Sequence, residues 1–187
     1  MDLTDEELLR RCQRGDDAAL TELVRRFEGR LFRLAYRVLH DAARAEDAAA
    51  DALATIWARC GTWRENARAS TWIQQVALRV VLDHHRRRQR WWRFWERSEA
   101  TEDQGTEADP SQEIANRESQ KSDSQRLAIA LQSLSAEDRA LVHLHYFEEQ
   151  SLAEIAEVLA VSRDALKMRL SRARRQLRMI LGKANDS

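Results

Sequence analysis

Hydrophobic and polar positions alternate with a helical period along most of the chain. Between residues 17 and 40, apolar side chains recur every three or four positions, which is the spacing that places them on one face of an α-helix. Gly15 and Asp16 precede this run, and aspartate is a favoured N-cap, so we predict a helix that ends near His40. Asp41 offers a cap to the next helix, whose apolar stripe runs from Ala45 to residue 57.

Residues 60–70 have no apolar period and are predicted to form a loop, with Ser70 as the N-cap of a long helix. One face of that helix is apolar. The opposite face is basic and carries Gln75, Arg79, Asp83, Arg86 and Arg90. The run RRRQRWWRFWER at 86–97 continues this helix and holds six arginines against one acidic residue.

After this run the composition changes. Residues 97–124 carry eight acidic and three basic groups, and residues 97–110 lack the large apolar side chains that could offset the entropy cost of ordering. Asp109 and Pro110 suit an N-cap and a first helical position. With five glycines and one proline in 187 residues, we predict an all-α protein of two small domains, 1–96 and 111–187, joined by a flexible acidic linker.

The C-terminal part contains a helix-turn-helix pattern. Ser151 and Glu154 have the spacing of a capping box, which predicts a short helix. Residues 160–162 interrupt the period, and Ser162 can cap a last helix. That helix would bury Leu166, Leu170, Ala173 and Leu177. Two helices joined by a tight turn, with a basic second helix, are typical of DNA-binding domains.

The outward face of the last helix is predicted to consist of Asp164, Lys167, Met168, Ser171, Arg172 and Arg175. Basic and hydroxyl side chains on such a face can reach phosphates and base edges in a major groove. The alternative is a solvated basic helix in an ordinary bundle.

Other residue types exclude several functions. Cys12 and Cys60 lack metal-ligand spacing and are expected to be free thiols of a cytoplasmic protein. Because the first residues are acidic and lack an apolar core, we expect no signal peptide, and we expect no membrane helix because no apolar run reaches membrane length. The histidine pairs at 84–85 and at 143 and 145 lack suitable companions. We therefore expect no metal site, no cofactor, no small-molecule substrate and no enzymatic activity.

Three segments in order resemble the extracytoplasmic-function (ECF) sigma factors of bacterial RNA polymerase. The segment DDAALTELVRRFEGRLFRLAYRVLHDAARAEDAAADALATIW (16–57) resembles the family's first conserved region and polymerase-binding helix. STWIQQVALRVVLDHHRRR (70–88) resembles the promoter-melting region. Residues 131–178 resemble the C-terminal DNA-binding domain.

The resemblance assigns roles to residues of this chain. Polymerase contacts are implied at Glu46, Asp47, Ala50 and Asp51. Contacts with the −10 promoter element are implied at Trp63, Arg64, Asn66, Arg68, Arg79, Asp83 and Arg86. Contacts with the −35 element are implied on the recognition helix, at Arg163, Lys167, Met168, Ser171, Arg172 and Arg175.

Some of these assignments have alternatives. Trp63 can stack on a base or serve as a buried anchor, and Glu46 and Asp47 can simply stabilise a helix N-terminus through its dipole. Arg79 stands where the family usually has asparagine, and Ala160 where it usually has a turn glycine. Arginine cannot accept a hydrogen bond, so base preference at that position is expected to differ.

The resemblance implies a promoter-recognition subunit that binds core RNA polymerase and promoter DNA and is held silent by an anti-sigma factor. A different hypothesis is a one-component regulator in which residues 1–96 sense a ligand and the C-terminal domain alone binds DNA. A third hypothesis, a membrane-surface peptide at 86–97, predicts lipid binding by the isolated N-terminal half. We expect no membrane insertion. The aromatic side chains of that run can also fold back on the N-terminal domain, stack on single-stranded DNA or pack against a partner.

Overall fold

A computed structural model describes the backbone of residues 3–99 and 123–183, and the side chains of residues 3–90 and 126–181. Within these ranges the regular structure is helical and no strand occurs, which confirms the prediction of an all-α protein. The helices are α1 (Asp5–Gln13), α2 (Asp17–Leu39), α3 (Ala42–Arg59), α4 (Ala69–Glu99), α5 (Asp123–Gln132), α6 (Ala136–Tyr146), α7 (Leu152–Leu159) and α8 (Arg163–Lys183). A short 3-10 turn, Cys60–Thr62, lies between α3 and α4.

The predicted caps start most of these helices. The Asp16 carboxylate accepts hydrogen bonds from the backbone of Ala18 and Ala19, and Asp41 accepts one from Arg44. Both bonds of the predicted capping box at Ser151 are also present. Each of these caps satisfies backbone N–H groups that lack an intrahelical partner.

The prediction for the start of α4 is wrong by two residues, because an N-cap at Ser70 implies a helix that begins at residue 71. The helix begins at Ala69, so Ser70 lies within its first turn instead of capping it. The backbone N–H of Ala69 donates to the Glu6 carboxylate, 3.1 Å away. Because that acceptor belongs to α1, no sequence pattern near residue 69 indicates it.

Helices α1–α4 form the N-terminal bundle around a core of large apolar side chains. Leu8, Leu23, Phe27, Ile56 and Ile73 are among the most deeply buried residues of this core. Cys12 and Cys60 belong to the same cluster and are free thiols. Burial raises the pKa of the Cys12 thiol to about 11, so at neutral pH it is a packing group rather than a nucleophile.

Helices α5–α8 form the C-terminal bundle, which packs directly on the N-terminal one. Helix α2 contacts α6, and α4 contacts α7. A single apolar cluster crosses this boundary. It includes Leu34, Val38, Leu78 and Val81 from the first bundle and Leu131, Leu141, Leu144 and Ile155 from the second. The two bundles therefore share part of their core.

The backbone of α4 continues to Glu99, which confirms that the run at 86–97 extends the helix. The side chains of Trp91, Trp92 and Trp95 lie outside the described residues, as do the helix start predicted at Asp109 and most of the linker predicted at 97–110. The boundaries of the two predicted domains stay predictions.

Candidate DNA- and polymerase-binding surfaces

The turn between α7 and α8 is built around a left-handed residue. Ala160 has φ 53° and ψ 45°, the conformation for which glycine is the usual choice. The backbone N–H of Val161 donates to the Ala156 carbonyl at 3.2 Å, and that of Ala160 donates to Glu157 at 3.3 Å. The alanine thus makes the same helix-ending turn that a glycine would make.

Helix α8 has a buried stripe and an exposed basic face. Leu166, Leu170 and Ala173 are buried, and Leu177 packs half-buried beside them. The residues expected to contact the −35 element are all exposed on other faces, namely Arg163, Lys167, Met168, Ser171, Arg172 and Arg175. The predicted division of this helix into inward and outward residues is confirmed.

Two further basic residues of α8 serve packing. The Arg169 guanidinium lies 3.0 Å from the Asp138 carboxylate of α6, and Arg174 donates a hydrogen bond to the Tyr146 hydroxyl. Both contacts join α8 to α6. The basic residues of α8 are therefore divided between a side that packs on α6 and a side that is exposed to solvent.

The expected polymerase-binding residues share the exposed side of α3. Glu46, Asp47, Ala50 and Asp51 are exposed, whereas Ala45, Ala48, Ala49 and Ala52 are buried. Small side chains on the inner face let α3 lie close to its neighbours. The Asp51 carboxylate lies 2.9 Å from Nε2 of His84 and so links α3 to α4.

The residues expected to contact the −10 element divide into one buried and six exposed side chains. Arg64, Asn66, Arg68, Arg79, Asp83 and Arg86 are exposed. Trp63 is only 2% exposed, and its indole N–H donates to the Ala67 carbonyl at 3.0 Å. Of the two roles considered for Trp63, this placement favours the buried anchor.

The C-terminal bundle lies against some of the residues that are expected to contact the −10 element. Arg68 pairs with Glu154 of α7 at 3.3 Å, and Arg86 pairs with Glu137 of α6 at 3.6 Å. An open cleft of about 670 Å³ separates the two sides near Arg68. Its lining residues are Asn66, Ala67, Arg68, Thr71 and Gln75 from the N-terminal bundle and Ser151, Ala153, Glu154 and Glu157 from α7.

Glu154 has partners in both bundles, because it caps its own helix and also pairs with Arg68. Its carboxylate accepts hydrogen bonds from the backbone and the hydroxyl of Ser151, at 2.9 and 2.8 Å. These bonds and, to a smaller extent, the Arg68 charge lower the pKa of Glu154, so the side chain is anionic at neutral pH. The sequence indicates its cap role, but not its partner in the other bundle.

Comparison with known proteins identifies the family. Residues 23–96 match the model of Sigma-70 region 2, and residues 130–179 match that of Sigma-70, region 4. The ECF RNA polymerase sigma factor SigL of Mycobacterium tuberculosis is 34% identical over 152 residues, covering 81% of this chain and 82% of SigL. The chain belongs to the ECF RNA polymerase sigma factors. This membership supports a role in transcription initiation and not that of a one-component regulator.

Two solved structures share the fold of this sigma factor. CnrH, determined in complex with the cytosolic domain of CnrY, has a TM-score of 0.68 at 21% identity and covers 96% of this chain and 97% of its own. The sigma factor RpoE, determined in complex with the anti-sigma factor NepR from Bartonella quintana, has a TM-score of 0.65 at 21% identity. That match covers 87% of this chain and 96% of the RpoE chain.

The described part of this sigma factor holds neither a cluster of three or more His, Cys, Asp or Glu side chains that could bind a metal ion, nor a helix with the length and apolar character required to cross a bilayer.

Proposed function

We propose that this sigma factor recognises the −35 element as duplex DNA through α8 and the −10 element through the 60–69 turn and the basic face of α4. The observation that carries the proposal is the face of α8, where six expected contact residues are exposed opposite a buried apolar stripe. Arg and Lys supply phosphate and guanine contacts, and the exposed Met168 supplies apolar contact, for example with a thymine methyl group.

The exposed acidic side of α3 is proposed to dock on core RNA polymerase. Three of its four expected contact residues, Glu46, Asp47 and Asp51, carry carboxylates, and none of the three is buried. A like-charged surface of this kind speeds association with a basic partner and fixes its orientation. Two DNA contacts that are weak separately become specific when one polymerase holds both bundles, because the second contact is then intramolecular.

An anti-sigma factor is proposed as the inhibitory partner, acting in the cytoplasm on a protein without catalytic activity of its own. The support is the fold shared with RpoE, a sigma factor determined in complex with the anti-sigma factor NepR. A pull-down from the native host that recovers polymerase but never an inhibitor would count against this partner.

Run-off transcription tests the function. Core polymerase, the purified chain and a template carrying the promoter upstream of the chain's own gene are combined, and each protein is omitted in turn. A specific transcript is expected only when both proteins are present. If the chain instead binds that DNA tightly by itself and yields no transcript with core enzyme, the proposal fails.

A further inference from the structure

Helix α1 holds the 60–69 turn through a row of three polar side chains. Glu6, Arg10 and Gln13 are spaced by four and three positions, which places them on one face of the helix. Each of them bonds to a different part of the segment between α3 and α4. The helix carries none of the residues expected to contact DNA or polymerase, yet it contacts the turn from which several of the expected −10 residues project.

Gln13 binds the start of this turn. Its side-chain amide donates to the carbonyl oxygens of Cys60 and Trp63, at 3.0 and 3.2 Å. The same stretch closes on itself, because the backbone N–H of Trp63 donates to the Cys60 carbonyl at 3.1 Å. One amide from α1 therefore fixes the backbone immediately before the exposed Arg64.

Arg10 binds the middle of the turn and balances its one acidic residue. Glu65 lies between Arg64 and Asn66, which are both exposed and both expected to contact DNA. Its carboxylate accepts hydrogen bonds from Nε and Nη2 of Arg10, at 2.8 and 3.4 Å. These bonds lower the pKa of Glu65, so the side chain is anionic at neutral pH. A carboxylate repels phosphate groups, and the paired guanidinium offsets that repulsion.

The far end of the turn is bound by Glu6, and α1 itself is anchored in the core. The Glu6 carboxylate accepts the hydrogen bond from the backbone N–H of Ala69, the first residue of α4, at 3.1 Å. Three of the nine residues of α1 are buried in the N-terminal core, namely Leu8, Leu9 and Cys12. Since α1 is fixed on the core and the turn is fixed on α1, the exposed side chains of the turn project from a set backbone.

We propose that α1 is a positioning helix for −10 recognition, in which Glu6, Arg10 and Gln13 hold the 60–69 turn in the conformation that selects promoter bases. This inference rests on the proposed function, which assigns the −10 element to that turn. Glu6 and Gln13 fix the two ends of the turn, and Arg10 keeps Glu65 from repelling the DNA strand. A turn that is already ordered pays less entropy on binding its own sequence, whereas a loosened turn adapts to several sequences. Loss of the row therefore lowers discrimination between DNA sequences.

Gln13→Ala tests the row because it removes two bonds to the turn and leaves the buried residues of α1 intact. The matched control is Thr4→Ala, which removes the N-cap of the same helix but no bond to the turn. Each full-length variant is combined with core polymerase. Anisotropy then measures binding to a fluorescent single strand that carries the non-template −10 segment upstream of the chain's own gene, and to a strand with the same bases in scrambled order.

The ratio of the two affinities is the measure of discrimination. Gln13→Ala is expected to lower this ratio several-fold, and Thr4→Ala is expected to leave it unchanged. Urea midpoints are recorded for both variants, so that a loss of stability is separated from a loss of discrimination.

Arg10→Gln tests the charge of Glu65. The variant is expected to bind the −10 strand several-fold more weakly, with a smaller effect at high salt, because an unpaired carboxylate then lies beside the DNA. The Glu65 side chain is 67% exposed, so the urea midpoint should change little. Glu65→Gln in the same chain is expected to restore affinity. Glu28→Gln, which removes a charge from an exposed position of α2 instead, is expected not to restore it.

Equal loss of discrimination in Gln13→Ala and Thr4→Ala would overturn the inference, since any loosening of α1 would then have the same effect. An unchanged ratio in Gln13→Ala would also overturn it, as would equal recovery from Glu65→Gln and Glu28→Gln. Run-off transcription by the wild-type chain with core polymerase is scored separately. A transcript with no effect of the variants faults the role of α1 alone, whereas absence of a transcript faults the proposed function.

Discussion

The guanidinium of Arg139 on α6 donates two hydrogen bonds to the carbonyl oxygen of Val38 on α2, at 3.0 Å from Nε and 2.6 Å from Nη2. Its remaining nitrogen donates to the Leu134 carbonyl at 2.7 Å and the Gln132 carbonyl at 3.3 Å. Arg139 is only 8% exposed. One buried cation therefore satisfies the backbone at the ends of helices in both bundles.

Replacing Arg139 with leucine is expected to lower the free energy of unfolding by about 3 kcal/mol, because it leaves buried carbonyl groups without donors. Arg139→Lys should recover only part of this loss, since a point charge cannot reach carbonyls in several directions. Urea denaturation measures both variants against Arg87→Leu, which removes the same charge from an exposed position. Losses of equal size for the two leucine variants would contradict a bridging role.

The sequence was sufficient for features that depend on neighbouring residues. The caps at Asp16, Asp41 and Ser151, the helical periods and the outward face of α8 all follow from spacings of a few positions. Features that depend on residues far away in the sequence could not be predicted. The Glu6 acceptor for the first residue of α4 and the Val38 acceptor for Arg139 come from helices far away in sequence.

The contact between the bundles also could not be predicted. An acidic linker predicts independent domains, and the charges of Glu137 and Glu154 look like ordinary helix N-terminal acids. Only the packing of α2 on α6 and of α4 on α7 shows that they face arginines. Trp63 illustrates the same limit, because a tryptophan in a loop fits both stacking and anchoring until its burial is known.

Ala160→Gly is expected to stabilise the protein by about 0.5–1 kcal/mol. The left-handed conformation at φ 53° costs alanine about 1 kcal/mol or more, whereas glycine adopts it freely, and the larger entropy of unfolded glycine offsets part of the gain. The matched control is Ala153→Gly at an exposed position within α7, which should destabilise by about 1 kcal/mol. Both changes in stability are measured from the urea midpoint. If both substitutions shift the midpoint in the same direction, Ala160 is not strained in this turn.

The buried ring of His143 predicts acid sensitivity. Both ring nitrogens lack a hydrogen-bond partner, although Nε2 lies 3.6 Å from the Glu148 carboxylate. Burial lowers the pKa of His143 from 6.5 to about 4, assisted by Arg37, Arg33 and Arg30 and opposed by Glu148. Since the unfolded chain takes up a proton first, the stability contributed by the neutral ring is complete above pH 6.5 and is lost as the pH falls from 6.5 towards 4.

His143→Leu should remove this dependence. The variant is expected to be at least as stable as wild type at pH 7, because two unpaired polar atoms leave the core. Its advantage should grow by about 1 kcal/mol per pH unit between 6.5 and 5. Urea unfolding at pH 7, 6 and 5 measures the change, and parallel pH profiles for the two proteins would refute it.

The exposed arginines of α8 are expected to contribute more to DNA affinity than the arginines that pack on α6. Arg172→Ala removes an exposed side chain from the proposed −35 face, and we expect about a tenfold loss of duplex affinity if it contacts a base, or a salt slope lower by about 1 if it contacts a phosphate. Arg174→Ala is the control, because its side chain lies against Tyr146. Fluorescence anisotropy with holoenzyme and a −35 duplex, at several salt concentrations, compares the two variants. A larger effect of Arg174→Ala would show that DNA contacts the Arg174 side of α8, which would contradict the proposed −35 face.

Charge reversal on the acidic side of α3 tests whether this surface docks on core polymerase. Glu46→Lys changes an exposed residue next to Asp47, and a rim charge of this kind acts mainly on the association rate and its salt dependence. We expect association with core polymerase to slow by about tenfold at low salt, with a smaller effect at high salt, where screening is strong. The matched control is Glu28→Lys, the same substitution at an exposed position of α2. If both variants slow association equally, only the net charge matters and α3 is not the docking surface. If Glu46→Lys alone does so, the acidic side of α3 faces the polymerase.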